Sequence, residues 1–142
     1  MTLDPHNLLA AVHPDLVMVI EAAKQEPQPF EVIYGIRTLA AEEQAVTSGH
    51  SETLHSRHLA DPHYGGKAMA VDIGVFDNGQ YVGDGPRVPT VYTACSLQIL
   101  TAAKELGIDV QWGGQAVGAW TDGVVSHFRD WGHYQLDPAK YP

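Results

Sequence analysis

Between residues 14 and 24 apolar side chains return at the spacing of one helix face, with Leu16, Val17, Val19, Ile20 and Ala23 falling together. Pro14 suits a first helical turn, and Pro27 and Pro29 follow as stops. Residues 30–36 are rich in β-branched and aromatic side chains and predict a strand. Thr38 can cap a second helix running through Ala40 and Glu43 towards Val46, stopped near Gly49. From 50 to 67 the periodicity gives way to a polar stretch bearing His and Gly. A loop that long is uncommon inside a compact domain unless it has a function.

Alternation resumes at 69–75 and predicts a strand, with Asp77-Asn78-Gly79 supplying turn chemistry before a short strand at 80–82. Thr90 is expected to cap the longest helix, whose stripe is Val91, Cys95, Ile99, Ala102 and Leu106 and whose end is Gly107. Residues 109–112 and 133–136 are short strand candidates. Helices and strands mix without regular βαβ alternation, so the expected class is α+β: a small antiparallel sheet flanked by helices. No repeat or linker interrupts the chain, and 1–142 is expected to form one domain.

Composition narrows the function. With 44% hydrophobic and 18% charged residues, the chain resembles a soluble globular protein. The net charge of -9, from 17 acidic against 8 basic residues, leaves no basic stripe for nucleic acid. It also disfavours electrostatic capture by an anionic wall or membrane. Cys95 is alone, which removes a disulfide framework and any Cys-based zinc site, and its place in an apolar stripe reads as core. No apolar run approaches the roughly 20 residues of a membrane span, and residues 1–14 do not read as a signal peptide. The expectation is a monomer made in the cytoplasm, without membrane insertion.

The candidate chemistry lies in the eight histidines and their neighbours. In the strand at 69–75, Val71, Ile73 and Val75 point to one face, and Ala70, Asp72 and Gly74 to the other. One carboxylate among very small neighbours is what a metal or substrate site needs; the alternative is an edge-strand Asp facing water. His58 precedes this strand, and Asp130 and His133 follow near the C-terminus. Two imidazoles and a carboxylate with a fourth position open make a three-ligand catalytic zinc site. A second carboxylate nearby could take the proton of the water. Spacing alone does not single these residues out.

Taken in order, Ser56-x-His58, Ala70-x-Asp72 and Asp130-x-x-His133 resemble the signature of the zinc D,D-carboxypeptidase and L-alanyl-D-glutamate peptidase family. The resemblance covers nearly the whole chain. The opening Ala11-Val12-His13-Pro14-Asp15-Leu16-Val17 is similar to the phage-endolysin branch, as are Tyr34-Gly35-Ile36-Arg37-Thr38 with Glu43-Gln44, and Trp112-Gly113-Gly114. The resemblance implies the Hedgehog/D,D-peptidase-like fold and one Zn²⁺ per chain, held by His58, Asp72 and His133. It implies Asp130 as general base and then acid, and Arg37 as stabiliser of the developing oxyanion. Ser56, Gln44, Trp112 and Tyr134 would contact substrate. The implied substrate is the peptidoglycan stem peptide, cut between L-alanine and D-glutamate after the membrane is breached. The alternatives are a D,D-carboxypeptidase on D-alanyl-D-alanine, or a zinc module that binds without catalysis.

Two departures from the family pattern stand out. The spacing from His58 to Asp72 is longer than the family's, so 59–67 holds an insertion, and His63 and His55 compete with His58 as first ligand. Residues 115–119 lengthen the stretch after the Trp-Gly-Gly turn. His127 could imitate the last ligand, but His133 has both Asp130 before it and Tyr134-Gln135-Leu136 after it. His6, His13 and His50 read as surface or capping residues.

Overall fold

The computed structural model describes residues 9–35, 64–114 and 131–141. Helix α1 spans Pro14–Ala23 and α2 spans Val88–Leu106; the strands are β1 (Phe30–Tyr34), β2 (Ala70–Asp77), β3 (Gln80–Val82), β4 (Val110–Trp112) and β5 (His133–Leu136). Among the described residues the strands form one sheet in the order β1-β2-β5-β4, with β3 also paired to β2. Every strand pairing is antiparallel. The α+β class read from the sequence is the observed one. The second helix expected after Thr38 lies outside the described residues.

Strand pleating divides the sheet into two unlike faces. Phe30, Val32, Val71, Ile73, Val75, Tyr134 and Leu136 project to one side and are buried. There they join Leu16, Val19, Ile20 and Ala23 of α1 and Tyr92, Cys95 and Ile99 of α2 in one core. Fully burying each of the Val, Leu, Ile and Phe side chains stabilises the fold by about 1.5–3 kcal/mol. The alternate residues, Asp72, Gly74, His133 and Gln135, occupy the other face. This is the division expected for 69–75, and among the described residues α1 and α2 pack on the apolar face.

Local chemistry explains the element ends. His13 caps α1 by accepting a hydrogen bond from the Asp15 amide at Nδ1, 3.1 Å away. The prolines close the helix, as expected. Asn78 and Gly79, with φ of 52° and 78°, make the two-residue turn between Asp77 and Gln80. Helix α2 begins three residues earlier than a Thr90 cap would have it: Arg87 is the N-cap without a side-chain bond, and a proline sits in its first turn. The proline's fixed φ suits that turn and replaces a capping hydroxyl as the start signal. The buried stripe is also rotated from the expected one. Tyr92, Ser96 and Ala103 are inside, whereas Leu106 is 40% exposed. Tyr92 explains the rotation, since its hydroxyl donates to Val82 O at 2.5 Å and accepts from Val75 N at 3.3 Å. Among the described residues no helix is long and apolar enough to cross a membrane.

Candidate active site

Asp72 and His133 are direct partners across β2 and β5. The Ile73 amide donates to the Gly132 carbonyl at 2.9 Å, one step along the ladder. That bond makes Asp72 and His133 a non-hydrogen-bonded pair, the kind whose side chains stand closest. His133 Nδ1 lies 3.1 Å from Asp72 Oδ1. The imidazole is buried and the carboxylate keeps an opening to solvent, with side-chain exposures of 6% and 17%.

The start of β5 is held from both sides. On one side is the Ile73–Gly132 bond, and on the other the Gly113 amide donates to the His133 carbonyl at 2.8 Å. Gly132 has no room for a side chain, because a Cβ there would meet the Ile73 carbonyl oxygen at 2.5 Å. Gly114 is constrained similarly by the indole of Trp112, at 2.2 Å from where its Cβ would be. The Trp-Gly-Gly turn therefore packs tightly and fixes where His133 enters the sheet.

Trp112 and Tyr134 fall on the opposite face from Asp72 and His133, stacked with 6.4 Å between ring centroids. Trp112 is buried and its indole N–H donates to Trp131 O at 2.8 Å. Tyr134 is wholly enclosed, and burial raises its phenol well above the ordinary value. These two residues support the site from behind. The substrate contact expected of them does not fit this placement, because the β pleat turns them into the core. His58, Arg37, Asp130, Ser56, Gln44 and the competing His55 and His63 lie outside the described residues.

The structure adds Gln135, which the sequence reading passed over. It follows His133 by two residues, so it shares its face. Its Oε1 sits 2.7 Å from His133 Nε2, and its Nε2 donates to Gln111 Oε1 at 3.2 Å. The period of a strand was the available signal, since it places 133 and 135 together.

This arrangement suits a metal ion. With an amide oxygen facing Nε2, that nitrogen carries the ring hydrogen. Nδ1 and Asp72 Oδ1 would then present lone pairs to each other across 3.1 Å, an arrangement that a proton or a metal ion shared between them would stabilise. A neutral imidazole with a carboxylate is a donor set that zinc accepts. Among the described residues no third His, Cys, Asp or Glu completes a metal-binding group.

The family model of phage L-alanyl-D-glutamate peptidases matches residues 3–136. Among solved structures, the crystal structure of the Serratia marcescens L-Ala D-Glu endopeptidase ChiX is similar, with a TM-score of 0.78 and 33% identity. That match covers 100% of this chain and 92% of the other. No curated protein sequence matches the chain. The sheet and its polar face are those of a peptidoglycan peptidase. The chain belongs to the phage L-alanyl-D-glutamate peptidase family.

Proposed function

We propose that this peptidase is zinc-dependent, that it cuts the bond between L-alanine and D-glutamate in stem peptides, and that it lyses the host from within. The observation that carries the metal reading is the Asp72–His133 pair, a carboxylate and an imidazole nitrogen 3.1 Å apart on the polar face of the sheet. His58 is the third ligand in this reading. Zinc held there would lower the pKa of a water ligand from 15.7 to roughly 7.

The remaining roles belong to side chains. Asp130 takes a proton from the attacking water and returns it to the amine of the departing D-glutamate. Arg37 faces the negative charge that develops on the scissile carbonyl oxygen. Synthesis in the host cytoplasm, with release to the wall once the inner membrane opens, agrees with the phage family to which the chain belongs.

Metal analysis tests this reading. Purified protein should carry about one zinc per chain, and a strong chelator should abolish wall digestion until zinc is restored. His58→Ala, Asp72→Ala and His133→Ala should each lose most of the metal. Full metal in His58→Ala with loss in His63→Ala would transfer the first ligand to the inserted segment. Undiminished digestion by metal-free protein would refute zinc dependence.

A further inference from the structure

Gln135 is wholly buried, in a strand position where an aliphatic side chain would satisfy packing alone. A buried amide group left without its hydrogen bond costs about 1–3 kcal/mol. Here the amide is used at both ends: Oε1 at His133 Nε2, and Nε2 at Gln111 Oε1. Gln111 faces Gln135 directly in the β4–β5 register, so two strands jointly define the orientation of one amide.

We propose that Gln111 and Gln135 form a relay that positions His133 to bind metal through Nδ1. The Gln111 oxygen engages the NH₂ group of Gln135 and turns the Gln135 oxygen towards the imidazole. That oxygen keeps the ring hydrogen on Nε2, and Nδ1 presents its lone pair beside the Asp72 carboxylate. The inference rests on the reading of Asp72 and His133 as metal-holding residues and deepens it. In this relay both glutamines are positioning residues that act through His133. Imidazole ligands are commonly held by a hydrogen bond on the far ring nitrogen, and its loss typically weakens metal binding by about 10–100-fold.

The reverse amide orientation makes the opposite statement. A Gln135 NH₂ donating to Nε2 would put the ring hydrogen on Nδ1, against Asp72, and leave only Nε2 with a lone pair. The two arrangements differ in which nitrogen meets the metal.

Zn²⁺ alone, titrated into the metal-stripped full chain against a chromophoric chelator, tests the relay. Gln135→Met should weaken affinity by about 10–100-fold. Gln111→Met should weaken it less. Gln135→Glu should restore most of the loss, because its carboxylate still accepts the hydrogen of His133 Nε2. Ring ¹⁵N spectra of zinc-loaded wild type should place the metal on His133 Nδ1 and the hydrogen on Nε2. Wild-type affinity in Gln135→Met, or metal on Nε2, would overturn the proposal. Should Gln135→Met fail to fold by circular dichroism, unchanged affinity in Gln111→Met would overturn the relay by itself. A wild-type chain that binds no Zn²⁺ refutes instead the metal reading beneath it.

Discussion

The Gly132 α-carbon faces the Ile73 carbonyl so closely that a Cβ would approach its oxygen to 2.5 Å. This contact governs the site, because Gly132 immediately precedes His133, and its own carbonyl accepts from the Ile73 amide. Gly132→Ala must push β5 away from β2 at the point where His133 meets Asp72. The expected result is a loss of about 1–3 kcal/mol, in the range of overpacked cores. Zinc affinity should fall in the same variant. Denaturant unfolding and metal titration check both, and wild-type values in each would mean that the strand accommodates the extra carbon.

Separating the base from the ligands is the next expectation. Asp130→Asn should retain fold and zinc but lose about 10²–10⁴-fold in turnover, because an amide cannot accept the water's proton. Arg37→Ala should retain metal and lose about 10²–10³-fold, the usual effect of removing one oxyanion donor. Turnover assays on purified wall, paired with metal analysis, distinguish these from ligand variants. Near wild-type rate in Asp130→Asn would move the base elsewhere, with Asp122 and Glu43 as the next candidates.

The buried thiol predicts alkaline behaviour. Burial raises Cys95 from 9.0 to about 12, with Lys24 opposing the shift. The native state therefore keeps its proton where the unfolded chain gives it up. This contribution is fully present below pH 9 and is lost as pH rises towards 12. Burial raises Tyr92 and Tyr134 in the same direction. The urea midpoint should hold steady below pH 9 and then decline, less steeply in Cys95→Ala. A thiol reagent at neutral pH should not label the native protein. Rapid labelling would show that Cys95 is open to solvent.

His13 ties α1 to Tyr64 and to Tyr141 near the C-terminus. Its Nδ1 caps the helix, and its ring packs against Tyr64 and Tyr141 with centroids 5.2 and 5.4 Å away. Loss of a helix cap typically costs about 1 kcal/mol. His13→Ala should therefore lower the melting temperature while leaving zinc binding intact. His13→Asn should recover part of the loss by supplying a capping oxygen. A melting temperature unchanged in His13→Ala would remove the cap from the account.

Much of this architecture is legible in the sequence because strand alternation and helix periodicity report burial directly. The segment with Val71, Ile73 and Val75 on one side and Asp72 on the other gave both the core face and the site face. The Asp77-Asn78-Gly79 turn follows from backbone chemistry alone. Other features depend on partners distant in sequence. The rotated stripe of α2 reflects Tyr92 reaching Val82 and Val75, a bond that helix periodicity does not contain. The family resemblance implies Tyr134 as a substrate contact, but it stands next to His133 in the strand and adjacent strand residues face opposite ways. That same rule, applied one residue further, points to Gln135. Its pairing with Gln111 depends on strand register, which only the assembled sheet reveals.

Digestion of purified peptidoglycan, with products identified by mass spectrometry, tests the central claim most directly. Zinc-loaded protein should release peptides with a new N-terminal D-glutamate and leave L-alanine on the glycan strand. The same products should vanish on chelation and return when zinc is added. Release of free D-alanine, with the L-alanyl-D-glutamate bond intact, would contradict the account and identify a carboxypeptidase.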